Sequence, residues 1–216
     1  MSRHISPSLL AADFGNLEKE IKKINASEAS WLHCDVMDGV FVPNLTFGMP
    51  ILEVVARLSR KPLDVHLMIM EPEKYIDQFC SVGVDILTVH VEACADIGKA
   101  IDRIKKHGTR AGITLRPHTP VKKLKEYIPE ADVILIMSVE PGFGGQKFLS
   151  QTYDRVAELK DLLQTLNPNA LIQADGGINI GNAGKLFSSG VDILVTGTAV
   201  FGSSDPVKAV RDLLNS

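Results

Sequence analysis

The chain has 216 residues, of which 45% are hydrophobic and 23% are charged, and its formal net charge at pH 7 is −3. This is the composition of a globular protein, and a chain of this length buries a substantial core without disulfides or structural metals. With 23 basic and 26 acidic residues, it lacks the basic excess expected of a protein that binds nucleic acid or a membrane surface.

The cysteines and the apolar segments bear on the cellular compartment. Cys34, Cys80 and Cys94 are odd in number and lack the spacing of a zinc site, which favours reduced thiols in the cytosol. No apolar run is long enough to cross a bilayer, and the first residues lack the apolar segment of a signal peptide. We therefore expect a cytoplasmic protein with no nucleic-acid partner and no membrane partner.

Short β-branched segments alternate with longer amphipathic segments along the chain. Strands are predicted at residues 4–8, 31–37, 62–69, 84–90, 110–115, 132–138, 170–175 and 191–196. Helices are predicted at residues 14–26, 48–59, 73–82, 96–107, 121–127, 149–166, 179–189 and 205–214. Strict alternation is typical of parallel sheets with crossover helices.

The number of repeats favours one α/β architecture over another. Eight strand–helix units in 216 residues predict a single-domain (β/α)₈ TIM barrel over residues 1–216. The alternative is a doubly wound open sheet, which often carries a glycine-rich turn after its first strand. Here the first turn, residues 9–13, has no glycine, which weakens that alternative.

The second predicted strand places polar side chains on one face. Because side chains alternate along a strand, His33, Asp35 and Met37 share one face and Leu32 and Cys34 lie on the other. An imidazole and a carboxylate side by side on a rigid strand make a pair of potential metal ligands. Cys34 is expected to be a packed thiol.

Further potential ligands end two other strands. His66 is in the third predicted strand and Asp175 ends the seventh, and in such barrels the strand ends meet at the active-site face. His33, Asp35, His66 and Asp175 together suit Zn²⁺, Fe²⁺, Mn²⁺ or Co²⁺ better than Mg²⁺ or Ca²⁺. One such residue alone is more often a structural hydrogen-bonding group, and that alternative stays open for the set.

Glycine clusters follow the last three predicted strands. They are Gly142-Phe143-Gly144-Gly145, Gly176-Gly177 and Gly197-Thr198. Glycine lets backbone N–H groups approach an anion closely, and the loops after strands 7 and 8 often bind phosphate in these barrels. The clusters favour a phosphate site, although tight turns alone would also use glycine.

Three methionines, Met37, Met68 and Met137, fall near strand ends. Methionine usually fills gaps in a core. If these side chains lie at the mouth of the barrel, they give the site an apolar lining with little water.

Several motifs together resemble those of the ribulose-phosphate 3-epimerase family, over essentially the full length. They are Ser6-Pro7-Ser8-Leu9-Leu10, His33-Cys34-Asp35-Val36-Met37-Asp38-Gly39, Asp64-Val65-His66-Leu67-Met68, Val139-Glu140-Pro141-Gly142-Phe143-Gly144-Gly145-Gln146, Asp175-Gly176-Gly177-Ile178 and Gly197-Thr198-Ala199. The resemblance implies a (β/α)₈ barrel that interconverts D-ribulose 5-phosphate and D-xylulose 5-phosphate in the pentose phosphate pathway, as a homo-oligomer, either dimer or hexamer.

The resemblance also implies roles for individual residues. His33, Asp35, His66 and Asp175 match the family's ligands for one divalent metal ion per subunit, and Asp35 and Asp175 match its catalytic acid/base pair. The residues that match its contacts to the phosphorylated ketose substrate are Ser8, His66, Gly142, Phe143, Gly144, Gly145, Asp175, Gly176, Gly177, Gly197 and Thr198. Inversion at a carbon next to a carbonyl needs proton removal on one face and proton delivery on the other, which two carboxylates can perform.

One residue departs from the family pattern, and two other functions stay open. Arg116 stands where the family usually has asparagine, and we expect it to pair with Glu92 or Glu140. The first alternative function is a 3-epimerase of a longer ketose phosphate such as allulose 6-phosphate. The second is a sugar-phosphate-binding barrel without catalysis.

Overall fold

The computed structural model describes residues 3–216. Within that range the chain forms a parallel sheet of eight strands, in the order β1-β8-β7-β6-β5-β4-β3-β2. Their bounds are β1 His4–Pro7, β2 Leu32–Met37, β3 Leu63–Met68, β4 Ile86–His90, β5 Arg110–Leu115, β6 Val133–Met137, β7 Leu171–Asp175 and β8 Ile193–Thr196. Each strand lies within one predicted above, so the predicted alternation is confirmed.

The sheet closes on itself where β1 meets β2. The two strands are joined by a parallel bridge between Ser8 and His33, and the Ser30 N–H donates to the Ile5 carbonyl over 2.9 Å. The other neighbours pair over three or more residues, as in the register of β2 on β3 from Leu32 with Leu63 to Met37 with Met68. The result is the predicted (β/α)₈ barrel, with its shortest seam between the first two strands.

Helices follow the strands. Their bounds are α1 Leu17–Asn25, α2 Met49–Leu58, α3 Ile76–Ser81, α4 Ile97–Lys106, α5 Thr152–Leu166, α6 Ile180–Ser189, α7 Thr198–Phe201 and α8 Pro206–Leu214. The short α7, directly after β8, was not predicted. No helix in residues 3–216 is long and apolar enough to cross a membrane.

The predicted helix at residues 121–127 is wrong. The segment forms two 3₁₀ turns, Val121–Leu124 and Ile128–Glu130. Pro129 has no N–H and disfavours helical backbone at the residue before it, so an α-helix has no room to extend here. Val121, Leu124 and Ile128 are nevertheless buried, so the amphipathic pattern indicated the buried face correctly but not the type of helix.

Alternation along each strand divides the core in two. The side chains of Leu32, Cys34 and Val36 pack outward in the large core cluster beneath the helices. His33 and Asp35 point into the barrel and are at most 3% exposed. At the amino-terminal end Trp31 packs with the inward-facing Ile86, Val133 and Ile193. The closed, apolar bottom leaves the carboxyl-terminal end of the barrel for polar groups.

Candidate active site

Three strands bring four predicted ligands together near the carboxyl end of the barrel. Asp35 on β2 lies directly beside His66 on β3 in the register of the sheet, and Asp175 ends β7. His66 Nδ1 is 3.3 Å from Asp35 Oδ1 and 3.9 Å from Asp175 Oδ2. His33 Nε2 is 3.3 Å from the same Asp35 Oδ1. One potential ligand atom from each of the four residues therefore faces a common point.

The four side chains fit a divalent transition-metal ion. Their ligand atoms all lie within 4.8 Å of one another, a spacing that one ion can span by drawing them slightly inward. His33 Nε2 is buried and has no hydrogen-bond partner, which is costly unless something else binds it. Two imidazoles with two carboxylates are a donor set that Zn²⁺, Fe²⁺, Mn²⁺ and Co²⁺ accept and that Mg²⁺ and Ca²⁺ do not favour.

The pKa values of the two carboxyl groups of the site, Asp35 and Asp175, are shifted in opposite directions. Burial alone raises the pKa of Asp35, but the positive charge of the neighbouring His33, together with the hydrogen bond from His66 Nδ1, outweighs it and holds the pKa well below its usual range. Burial, and to a smaller extent the negative charge of Asp35, raises the pKa of Asp175 to about 7. In the chain by itself Asp35 is therefore an anion at neutral pH, while Asp175 holds a proton easily.

The buried side chain of Asp64 fixes the orientation of His33 through its Nδ1 nitrogen. Asp64 Oδ2 accepts a hydrogen bond from His33 Nδ1 over 2.7 Å, from Ser6 Oγ over 3.0 Å and from Gln173 Nε2 over 2.5 Å. Burial lowers the pKa of His33, but the charges of Asp64 and Asp35 more than offset this and raise it well above its usual value. Because Nδ1 is engaged with Asp64, Nε2 is the nitrogen left to face the site.

His66 is held by a second histidine. Its Nε2 lies 2.8 Å from His90 Nε2, and His90 Nδ1 lies 3.5 Å from Glu92 Oε2. Burial lowers the pKa of His90 to about 4, so its ring is neutral at pH 7. Burial raises the pKa of Glu92, but the nearby His90 ring and the hydrogen bonds from the Thr119 hydroxyl and the Arg116 N–H bring it down to about 2. Glu92 is thus an anion next to a neutral imidazole.

A cavity of about 350 Å³ opens directly above these ligands. Asp35 and Asp175 line it, and Ser8 lines it while donating from Oγ to Asp35 Oδ2 over 2.6 Å. The other predicted substrate residues that line it are Gly142, Phe143, Gly144, Gly145, Gly176, Gly177, Gly197 and Thr198. His66 is fully buried and is not among the residues that line the cavity, and its contact with substrate stays a prediction.

The glycine loops meet each other at one side of the cavity. Gly177 has φ of +64°, and a Cβ there would lie 2.6 Å from the Phe148 N and 2.8 Å from the Gln146 carbonyl oxygen. Asn44 Nδ2 donates to the Gly142 carbonyl over 2.7 Å. The loop at 142–146 is therefore held between the loop after β7 and the loop after β2, and Phe143 remains 53% exposed.

The predicted methionines lie at the mouth of the barrel. Met37, Met68 and Met137 are each at most 5% exposed and line the cavity. They give the site an apolar boundary beside the carboxylates, and such a boundary favours the neutral form of a carboxyl group. Cys34 is a buried free thiol on the opposite face of β2, as expected.

The ion pair expected of Arg116 is wrong. Among residues 3–216, no carboxylate lies within 4.0 Å of its guanidinium; Nη2 donates to the Phe41 carbonyl over 2.5 Å, and the group lies 4.3 Å from the centre of the Phe41 ring. Glu92 instead accepts from the Arg116 backbone N–H over 2.9 Å, and Glu140 lies 3.2 Å from His118 Nε2. Stacking on an aromatic ring suits the planar guanidinium.

Sequence reasoning assigned no role to Asp64, Gln173 or His90, and it named Glu92 only as a possible partner of Arg116. Asp64 alternates with His66 on β3, so its inward direction was available from the strand pattern. His90 and Glu92 are at the end of β4, where functional groups of a barrel gather. Their hydrogen-bond partners lie on other strands or in the loop after β5, 24 to 109 residues away, and no local pattern indicates such pairs.

The fold and site define a class of protein. It is a (β/α)₈ barrel enzyme with two carboxylates of opposite protonation preference beside a cluster of potential metal ligands, beneath a glycine-lined cavity.

Comparison with known proteins makes the class specific. The model of the ribulose-phosphate 3 epimerase family matches residues 4–201. A ribulose-phosphate 3-epimerase of Bacillus subtilis is 44% identical over 98% of both chains, and that of Synechocystis is 41% identical over 100% of this chain and 96% of its own. The chain belongs to the ribulose-phosphate 3-epimerase family, and it is an isomerase that interconverts D-ribulose 5-phosphate and D-xylulose 5-phosphate.

Solved structures support the fold independently. KGPDC from Streptococcus mutans superposes with a TM-score of 0.75 at 12% identity, over 100% of this chain and 97% of its own. A 3-hexulose-6-phosphate synthase gives 0.70 at 16% identity, over 100% and 99%. These distant likenesses concern the barrel alone. The alternatives of a longer ketose phosphate and of a non-catalytic barrel are not favoured, since the similar full-length relatives are ribulose-phosphate 3-epimerases.

Proposed function

We propose that His33, Asp35, His66 and Asp175 hold one divalent metal ion, Zn²⁺, Fe²⁺, Mn²⁺ or Co²⁺, and that Asp35 and Asp175 are the acid/base pair of the 3-epimerisation. The observation that carries this proposal is the convergence of their four ligand atoms within 4.8 Å, with two of the four residues also lining the substrate cavity. The unpartnered His33 Nε2 supports it.

The reaction removes a proton from one face of the substrate at C3 and delivers a proton to the opposite face. Asp35 as a carboxylate accepts the proton from C3 on one face, and Asp175 as a carboxylic acid delivers one to the other face. In the metal-free chain the pKa values of the two groups are shifted in these directions. In the reverse direction the two carboxyl groups exchange roles. The bound ion would supply positive charge that stabilises the enediolate oxygens.

The opposed pKa shifts bear on which carboxyl group starts with the proton. Asp35 accepts hydrogen bonds that favour its anion, from Ser8 Oγ over 2.6 Å and from His66 Nδ1 over 3.3 Å. Asp175 lies in an apolar boundary with Asp35 as its negative neighbour, which favours its neutral form. The divergence of two carboxyl groups in one site is the pattern by which acid and base are distinguished.

The phosphate of the substrate is assigned to the glycine loops. Gly176, Gly177, Gly197 and Thr198 line the cavity on the side of β7 and β8, where backbone N–H groups can approach an anion without side chains in between. The loop at 142–146 would cover this end. Phe143, still 53% exposed, is the side chain of that loop with most surface left to bury on closure.

Metal analysis with an activity assay tests the metal site. Protein purified without chelator is expected to contain about one divalent ion per chain, because the four donors form one site. Exhaustive chelation should reduce turnover of D-ribulose 5-phosphate strongly, and readdition of Zn²⁺, Fe²⁺, Mn²⁺ or Co²⁺ should restore it. Full turnover in metal-free protein would overturn the proposal.

Location and assembly are further proposals. The three free cysteines, two of them buried, support a reducing compartment, the cytoplasm. Val40 and Leu45, in the loop after β2, are 74% and 72% exposed, apolar surface that association of subunits would cover. Light scattering on a sizing column distinguishes the dimer or hexamer proposed here from a monomer.

A further inference from the structure

The loop after β2, residues 38–48, lies against the loop at residues 142–146 (the cover loop). Asn44 Nδ2 donates to the Gly142 carbonyl over 2.7 Å, and a Cβ built on Gly142 would lie 3.3 Å from the Cβ of Val42. Val42 is 1% exposed, so it does not move without disturbing the packing around it. The position of Gly142, which lines the cavity, therefore depends on where the loop after β2 lies.

Arg116, which follows β5, holds the loop after β2 at a second point. Its Nη2 donates to the Phe41 carbonyl over 2.5 Å, and its guanidinium lies 4.3 Å from the centre of the Phe41 ring. A hydrogen bond from a charged donor is stronger than one between neutral groups. The Phe41 carbonyl belongs to the peptide unit between Phe41 and Val42, so this contact fixes the backbone from which Val42 faces Gly142.

The backbone of Arg116 is anchored as well. Its N–H donates to Glu92 Oε1 over 2.9 Å, and its carbonyl accepts from Arg155 Nη2 over 3.2 Å. Arg155, on α5, also donates from Nη1 to the Thr119 carbonyl over 2.8 Å. The planar guanidinium of Arg116 stacks and donates in one orientation. Arg116 therefore connects a fixed part of the barrel to the loop after β2.

We propose that Arg116 is a positioning residue for substrate binding: through the loop after β2 it holds the cover loop over the phosphate end of the cavity. Arg116 is not among the residues that line the cavity, so it acts through Phe41, Val42 and Asn44. The inference rests on the role of the cover loop proposed above. The competing explanation is that Arg116 only packs on Phe41 and stabilises the fold, and the test has to separate the hydrogen bond from packing.

A matched pair of substitutions separates the two explanations. Arg116→Met keeps an unbranched side chain that can pack on the Phe41 ring but has no donor, whereas Arg116→Lys keeps a charged donor. We expect Arg116→Met to raise the KM for D-ribulose 5-phosphate by about 3- to 10-fold, a typical effect of positions that act through intervening contacts. The kcat should change little, because Asp35 and Asp175 are untouched. Arg116→Lys should recover most of the loss, and Arg60→Met, at an exposed position, is the control and should leave KM unchanged.

A double-mutant cycle tests whether Arg116 and Asn44 act through one path. Asn44→Ala removes the donor to the Gly142 carbonyl and should also raise KM, because the cover loop loses a contact with the loop after β2. Once that contact is lost, the hydrogen bond of Arg116 has less to transmit. The double variant should therefore raise KM by less than the product of the two single effects, whereas independent contributions would give the full product.

Cleavage after Phe143 reports on the cover loop without using activity. Phe143 is 53% exposed, and an exposed aromatic residue in a loop is cleaved by chymotrypsin when the loop opens locally. Arg116→Met and Asn44→Ala should be cleaved there faster than the unaltered chain, and Arg60→Met at the unaltered rate. An equilibrium mixture of D-ribulose 5-phosphate and D-xylulose 5-phosphate should slow cleavage of the unaltered chain, because the loop then covers the phosphate. Mass spectrometry of the fragments identifies the cleavage site.

The outcomes distinguish this inference from the role of the cover loop itself. An equal rise of KM in Arg116→Met and Arg116→Lys, or a double variant with the full product of effects, overturns the positioning role. Cleavage after Phe143 at one rate in Arg116→Met and in the unaltered chain overturns it as well. If Arg116→Met does not fold, Arg116→Asn takes its place in every comparison. Failure of the sugar phosphates to slow cleavage of the unaltered chain would instead overturn the proposed cover, whatever Arg116 does.

Discussion

At the scale of residues, Asp35 and Asp175 present opposite protonation states within one buried site. Asp35 is 3% exposed and lies beside the Ser8 hydroxyl and two imidazoles, whereas the neighbouring charge with the largest effect on the pKa of Asp175 is the Asp35 carboxylate itself. Under the proposed mechanism the same residue type would serve as base in one position and as acid in the other, because the charge of His33 and hydrogen bonding outweigh burial at the first, whereas burial and a like charge act together at the second.

Replacing either carboxylate should remove the proton transfer. We expect Asp35→Asn and Asp175→Asn each to lower kcat for D-ribulose 5-phosphate by at least about 10²- to 10⁴-fold, the usual contribution of general acid–base catalysis. A coupled assay for D-xylulose 5-phosphate measures this. Asp161→Asn, at an exposed position of α5, is the control. Near-normal turnover by either site variant would contradict the two-carboxylate scheme.

Arg116 contributes stability rather than charge pairing. Loss of its hydrogen bond to the Phe41 carbonyl and its stacking on the Phe41 ring should make Arg116→Asn less stable by about 1–2 kcal/mol. Denaturant unfolding measures the difference. Arg60→Asn, at an exposed position outside the helices, should change the free energy of unfolding much less. Equal effects of the two substitutions would show that the contacts of Arg116 contribute nothing.

At the scale of elements, turns at the ends of a strand and of a helix use left-handed backbone, which favours glycine. Gly177, after β7, has φ of +64° and its Cα faces the Gln146–Phe148 backbone at close range. Gly108, after α4, has a similar φ of +76° but no atom within 4 Å of a built Cβ. Both positions thus have a left-handed backbone, but only at Gly177 would a side chain also clash with neighbouring backbone atoms.

Alanine at these two positions separates the constraints. Gly108→Ala should cost about 1–2 kcal/mol of unfolding free energy, the strain of a left-handed conformation. Gly177→Ala should cost about 1–3 kcal/mol more, because the Phe148 N and Gln146 O must move. It should also raise the KM for D-ribulose 5-phosphate, since these loops line the cavity. Denaturant unfolding and initial-rate kinetics measure the two effects, and equal stability of the variants would refute the close approach.

At the scale of the whole molecule, the proposed metal site links strands that are far apart in the sheet. His33 and Asp35 are on β2, His66 is on β3 and Asp175 is on β7. A bound ion would therefore connect opposite sides of the barrel close to the short seam between β1 and β2, where the Ser8–His33 bridge closes the sheet. Binding to the folded state alone stabilises it, by about 2.7 kcal/mol at 100 times the dissociation constant.

This stabilisation should depend on pH with a definite sign. In the metal-free protein the pKa of Asp175 is raised to about 7 from 3.8, so burying this group costs stability increasingly as pH rises between those values. A metal ion binds the ionised form and must displace the proton below pH 7. The gain in melting temperature on adding Zn²⁺ should therefore grow as pH rises from about 6 to 8. A gain that is constant or falls over this range would contradict the role of Asp175 as a ligand.

The sequence by itself determined the alternation of strands and helices, the (β/α)₈ barrel and the inward face of each strand, because these depend on local periodicity. It also indicated His33, Asp35, His66 and Asp175, since parallel strands end at one face of a barrel. It wrongly predicted an α-helix at 121–127, where the chain forms 3₁₀ turns. The apolar pattern there indicated a buried face but not the type of helix.

Only the tertiary structure decided what surrounds each of those side chains. It placed Asp64 behind His33, His90 and Glu92 behind His66, and Arg116 on Phe41 instead of a carboxylate. It also gave the two aspartates their opposite pKa shifts. These features depend on distances between residues far apart in the chain and on burial in a common interior, and neither quantity exists until the barrel has closed.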